Sequence, residues 1–181
     1  MSRINYSEDE EDYPGQYALW QANCRRSIRG AEGQRVMREM EVALLALPSK
    51  RLIQNAVSLS GEVCAVGAYV AAQKAKAGGS IHDAIAALES ECGDEETQRY
   101  DETDALGIEY GMPRLVAWKL VALNDIEIDS YIYVTAEGPN QEPYHPAYYS
   151  AGVRQRVPVT PEHRYQQVLA WVRSQIIAEI A

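Results

Sequence analysis

The chain has 181 residues, 46% of them apolar, with 17 Lys and Arg against 26 Asp and Glu, a formal net charge of −9. A chain of this length buries roughly 70% of its unfolded surface around one core, so a single globular domain is expected. An acidic protein lacks the overall field that draws in phosphate, so a nucleic-acid partner is disfavoured and would need a local basic patch.

The charge is local. Residues 1–12 carry five carboxylates, Glu8 to Asp12, against Arg3, a net of −4, and residues 89–104 carry eight against Arg99, a net of −7; the remaining residues sum to +2. Cys24, Cys64 and Cys92 form no CxxC pair and read as free, buried thiols. No charged-then-apolar leader opens the chain and no apolar run approaches the ~20 residues that span a bilayer, so a cytoplasmic protein without membrane contact is expected.

The first twelve residues are too poor in apolar side chains to offset the entropy of ordering. Residues 1–12 therefore read as a disordered acidic tail and 13–181 as one domain. Tyr13-Pro14-Gly15 precedes a helix from Gln16 to Ile28, with Tyr17, Leu19, Trp20, Cys24 and Ile28 as its inner face and Gly30 and Gly33 closing it. A second helix runs from Gln34 to Leu47 on Val36, Met37, Met40, Leu44 and Leu47, and Pro48 stops it. Leu52 to Val57 and Glu62 to Val66 read as hairpin strands joined by Ser58-Leu59-Ser60-Gly61.

An Ala-rich helix follows from Gly67 to Ala77. Ser80 caps the next one, with Asp83 favouring the positive end of its dipole and Ile81, Ile85 and Leu88 facing inward. Tyr100 and Leu106 mark a helix reaching Gly107, and the most apolar helix, Leu115 to Leu123, is expected to be central. Residues 126–159 lose helical periodicity: Ile126, Ile128 and Tyr131 to Val134 look strand-like, and Pro143, Pro146 and Pro158 break the rest. Thr160 as cap and Pro161 at the first position open a last helix on Tyr165, Val168, Leu169, Val172, Ile176 and Ile180. The fold class is mainly α, a compact helical domain with a small β-hairpin and an irregular, partly extended segment before the C-terminal helix.

HExxH, GxSxG, GxxxxGK[ST] and GxGxxG are all missing, and His82, His145 and His163 show no metal-ligand spacing, so no catalytic residue, cofactor or metal is assigned. An enzyme would have to use Cys64 or a carboxylate cluster. Thr103 to Val116 has a superficial helix-turn-helix look with Gly107 as turn glycine, but its exposed cations are only Arg114 and Lys119. Asp94, Glu95, Glu96 and Asp101 belong to an acidic strip that lacks the calcium-loop pattern. It reads as a solvated face, as a partner-binding surface, or as the phosphate-like strip of a DNA-mimicking inhibitor. Arg25, Arg26 and Arg29, with Arg35 and Arg38, form a solvated basic face or pair with that strip. Tyr131, Tyr133, Tyr144, Tyr148 and Tyr149 crowd one Pro-bearing segment; Tyr gives large contact area at low entropic cost, making this the favoured contact site for a protein partner.

Five blocks together resemble a group of small proteins encoded in bacteriophage and prophage genomes. They are Tyr13 to Asn23 (YPGQYALWQAN), Ala43 to Ile53 (ALLALPSKRLI), Gly61 to Ala68 (GEVCAVGA), Ala122 to Asp125 (ALND), and Thr160 to Tyr165 (TPEHRY) with Trp171-Val172, about half the chain. None is a catalytic motif, so the likeness implies a source and no active site. It also implies that residues 126–159 enlarge a link that is shorter in the group. The expected function is that of a phage-type accessory protein acting in the host cytoplasm by binding a host or phage protein, with a second copy of the chain also open as a partner.

Overall fold

Residues four apart lie one above the other on a helix. In α1 (Pro14–Arg29) that row is Trp20, Cys24 and Ile28, of which Cys24 and Ile28 are fully buried. The computed structural model describes residues 14–92, 100–128, 131–136 and 153–178. Leu19, expected on the inner face, lies off it with 62% of its surface exposed, whereas Tyr17 points the same way as the row but is 41% exposed and stacks on Trp20, ring centres 5.7 Å apart. A helix step is about 100°, so a residue adjacent to the buried row falls off it, and α1 buries only a narrow stripe.

Gly33, expected to close α1, is the third residue of α2 (Ala31–Ala46). The two helices turn so tightly that a β-carbon on Gly33 would sit 2.1 Å from the Ser27 carbonyl oxygen. Buried Gln34 secures this corner: its Nε2 donates to the carbonyls of Ile28 and Gln175, each at 2.9 Å, and its Oε1 accepts from Ile177 N–H at 2.8 Å.

The first hairpin is smaller than expected, with β1 (Ser58–Leu59) paired to β2 (Glu62–Val63) around the two-residue turn Ser60-Gly61. Both turn residues have positive φ, 53° and 75°, the twist that joins antiparallel strands. Residues 52–57 do not form a strand, because Asn55 at φ 62° breaks the alternation; they bond singly instead, Leu52 N–H to Pro161 O and Ile53 N–H to Val63 O, each at 3.1 Å.

The central helix is α3 (Ala65–Lys76), in which every residue from Ala65 to Ala71 is buried. Only small side chains let neighbours approach a helix from all sides, and a β-carbon on Gly67 would meet the Val57 carbonyl oxygen at 2.3 Å. Around α3 stand α2, α4 (Ile81–Cys92), α5 (Tyr100–Glu109) and α6 (Arg114–Ala122). Gly107 is not a turn residue; it lies inside α5, packed against Val66 and Met112, and the turn glycine is Gly111, at φ 88°. Nor is Lys119 of α6 exposed: only 6% of its surface remains accessible, with Nζ 5.4 Å from the centre of the Trp20 ring.

After α6 the chain makes a π-helical turn, Leu123–Glu127, where a strand was expected to begin. Two longer strands follow, β3 (Tyr131–Ala136) and β4 (Val153–Pro158), paired antiparallel from Tyr131↔Pro158 to Ala136↔Val153. The segment read as irregular thus holds a regular ribbon, and β4 escaped notice because Arg154, Gln155 and Arg156 dilute its two valines. α7 (Pro161–Gln175) is capped as expected by the Thr160 hydroxyl, which accepts His163 N–H at 3.2 Å. It ends one residue before Ile176, and Ile180 lies outside the described residues. The fold is mainly α, with α7 laid along α2 through Tyr165 Oη to Leu44 O at 3.3 Å and Arg173 to Glu41 at 2.7 Å.

The close approaches define a test. Gly67→Ala and Gly33→Ala should each cost on the order of 3 kcal/mol despite the better helix propensity of Ala, lowering the melting temperature by roughly 6–12 °C. Gly15→Ala, which meets nothing within 4 Å, should not lower it. Thermal melts by circular dichroism compare the three.

Candidate functional site

Of the tyrosines expected to form a contact surface, Tyr131 and Tyr133 lie in β3, while Tyr144, Tyr148 and Tyr149 fall outside the described residues. In a strand, alternate residues share a face, and directly paired residues lie on the same side of a ribbon. The register therefore places Tyr131, Tyr133 and Thr135 on one face with Pro158, Arg156 and Arg154. Ile132, Val134 and Ala136 share the other with Val157, Gln155 and Val153. One face carries aromatic and cationic residue types, and the other is nearly all aliphatic.

The acidic strip divides differently. Asp94, Glu95 and Glu96 lie outside the described residues, and Asp101 is placed only as a member of the first turn of α5. Three other members of the strip serve the fold. Glu89 accepts the backbone N–H groups of Ser60 and Gly61 at 2.7 and 3.0 Å, tying α4 to the β1–β2 turn. Glu91 takes Lys74 at 2.7 and 2.5 Å, which raises the ammonium pKa. Asp104 accepts from the Trp118 indole N–H. None of the three meets the arginines of α1 or α2; Arg35 pairs instead with Glu32 and Glu39, at 3.0 and 2.7 Å.

Two polar clusters went unnoticed in the sequence. Glu39 Oε2 gathers Arg35 at 2.7 Å and Tyr69 Oη and Gln73 Nε2 at 3.0 Å, while Lys76 lies 3.3 Å from Oε1. Burial alone would raise this carboxyl's pKa, but Tyr69, Lys76 and Arg35 together hold it below the usual value. The second cluster is deeper. Arg164, 4% exposed, donates to the Asn124 carbonyl and, at 3.0 Å, to Gln54 Oε1; Gln54 Nε2 in turn donates to the Asp125 carbonyl at 2.7 Å. The Asp125 carboxylate accepts from Asn55 N–H at 3.1 Å and from Asn124 Nδ2 at 2.6 Å. Burial raises the Asp125 pKa, only partly offset by those donors and by the charge of Arg164.

Cys64, the thiol an enzyme would need, is fully enclosed at the start of α3, where its Sγ accepts Gly67 N–H at 3.3 Å. Burial and the neighbouring Asp125 charge push its pKa up to about 12, so it stays protonated and non-nucleophilic at neutral pH. Among the described residues no group of three or more His, Cys, Asp and Glu could hold a metal ion. His163 contacts Gln167 one turn along α7, and His82 lies in the first turn of α4. No helix among the described residues is long and apolar enough to cross a membrane.

Two surface hollows lie among the described residues. One of about 220 Å³ lies beside Gly78 and Gly79, but Asp83 takes both the Ser80 hydroxyl and its N–H, a capping box that repels anions there. The larger, about 540 Å³, is an open groove along α1 lined by Ala22, Arg25, Arg26, Arg29 and Gly30. The three arginines are exposed, and among the described residues no carboxylate pairs with them. Compared with known protein families, with curated proteins and with solved structures, the chain matches none.

Two variants probe the deep cluster. Arg164→Ala should destabilise the protein by roughly 3–5 kcal/mol, and Arg164→Lys should fail to restore it because an ammonium cannot span both acceptors; urea denaturation measures both. Because the folded-state pKa of Asp125 is raised, the native state binds its proton more tightly than the unfolded chain does. This stabilising contribution is full below the unfolded pKa and is lost as pH rises through the folded one. Relative to Asp125→Asn, the wild-type urea midpoint should therefore fall as pH rises above the ordinary aspartate value.

Proposed function

We propose that this is an accessory protein of the bacteriophage type, acting in the host cytoplasm by binding a host or phage protein, with the Tyr-bearing face of the β3–β4 ribbon as its contact surface. The observation that carries the reading is the strand register, which brings Tyr131 and Tyr133 onto one face with Arg154 and Arg156. Tyr and Arg are the side chains that most often anchor protein interfaces. Neither strand contains a carboxylate, so the ribbon is locally basic within an acidic chain and suits an acidic partner surface. The resemblance of five sequence blocks to phage and prophage proteins is what supports the source.

Tyr131→Thr combined with Tyr133→Thr keeps β-propensity while removing both rings. In affinity capture from host cells, the full-length wild type should retain a specific partner. The double variant should lose it by at least about tenfold, with an unchanged melting temperature. Equal retention by both proteins, with release by Asp94→Asn, Glu95→Gln and Glu96→Gln instead, would overturn the ribbon surface in favour of the acidic strip.

A further inference from the structure

α1 contains no carboxylate, and all of its side-chain charge stands on Arg25, Arg26 and Arg29 near its C-terminal end. Other arginines of the fold are engaged: Arg35 holds Glu32 and Glu39, Arg51 holds Glu62 and Glu162, Arg173 holds Glu41, and Arg114 stacks over Trp118. The three of α1 are exposed and line an open groove of about 540 Å³, with Ala22 and Gly30 as the rest of its lining. Like charges one turn apart on a helix repel, and the dipole of α1 tolerates cations at this end without neutralising them. The groove is therefore a local basic patch of the kind an acidic chain needs before it can hold phosphate.

We propose that this groove binds the phosphodiester backbone of a single-stranded nucleic acid. Among the described residues the lining has no aromatic or large aliphatic side chain, so it lacks the desolvated apolar anchor on which a protein interface depends. Nor does it cradle an isolated phosphate with backbone donors, because the Gly30 N–H is already donated to the carbonyls of Arg26 and Ser27, at 3.2 and 3.3 Å. Its chemistry is that of three guanidinium forks, each able to grip a phosphate through two parallel N–H···O bonds. Arg25 and Arg29 stand only about 6 Å apart along the helix axis. A flexible strand can turn successive phosphates toward heads clustered this closely, whereas a rigid duplex needs a broader basic surface. The net charge of −9 does not forbid the contact. At physiological ionic strength exposed charges are screened beyond about 8 Å, so the groups at the groove decide what it attracts. Phosphate contacts position a strand without reading its bases, so binding is independent of sequence. The inference is independent of the ribbon surface, since it uses neither β3 nor β4.

The test is fluorescence anisotropy of a labelled single-stranded oligothymidylate titrated with the full-length protein. Wild type should bind with an affinity that falls roughly twentyfold between about 50 and about 200 mM salt, as expected when about three phosphates are neutralised on a single strand. Arg25→Gln, Arg26→Gln and Arg29→Gln together should weaken binding at least about tenfold at an unchanged melting temperature. Arg173→Gln, whose partner is Glu41, should bind like wild type. Each single substitution in α1 should make the slope of log affinity against log salt shallower by about 0.7, so the single variants decide the question should the triple variant unfold. No binding at the lower salt, equal binding by the triple variant, or tighter binding of the corresponding duplex would overturn the proposal. So would displacement of the oligonucleotide by polyglutamate of equal charge with equal potency, which assigns the groove to an acidic protein surface.

Discussion

A guanidinium buried at 4% exposure cannot be left unbonded, and the satisfaction of Arg164 organises three parts of the chain that are far apart in sequence. It donates to Asn124 in the π-helical turn and to Gln54 in the irregular stretch before β1, while Gln54 and Asn55 reach back to Asp125. Burial lowers the Arg164 pKa and raises that of Asp125, and each charge partly relieves the other. Asn124 and Asp125 lie at the end of the helical chain, where backbone carbonyls lack intrahelical partners and are free to accept from Arg164 and Gln54. α7, the chain before β1 and the end of α6 are thus held at one point.

Close packing around α3 is the second constraint. Seven consecutive buried residues, mostly Ala, Val and Gly, let α2, α4, α5 and α6 approach it from several sides. A buried network and a small-residue helix act together here: the first fixes where α7, the π-helical turn and the chain before β1 meet, and the second fixes how near the helices stand. Several carboxylates also hold these elements together. Glu39, Glu89, Glu91 and Asp104 bind the fold's own donors, and the Cys64 thiol is sealed beneath α3. The arginines of α1 are exposed, and the register of the β3–β4 ribbon sorts its residue types by face.

The deep cluster joins three stretches of sequence, residues 43–53, 122–125 and 160–165. Asn124 and Asp125 belong to one of them, Arg164 to another and Ile53, whose carbonyl accepts from Asn124 Nδ2 at 2.9 Å, to a third.

Helix periodicity, the Thr160-Pro161 and Ser80-Asp83 caps, and the stop at Pro48 were enough by themselves to determine a mainly helical domain and most helix positions, since these signals act over one or two turns of chain. Several of the expectations that failed depended on neighbours outside the residue's own helix. Gly33 and Gly107 look like terminators until the carbonyl of Ser27 and the side chains of Val66 and Met112 are seen against them. Lys119 looks exposed until Trp20 covers it. The strand register that pairs Tyr133 with Arg156, and the meeting of Arg164 with Gln54, join residues 23 and 110 positions apart. Only the tertiary structure decided those, because burial and pairing are set by the partner across the core, and the spacing of a residue from its own sequence neighbours contains no record of it.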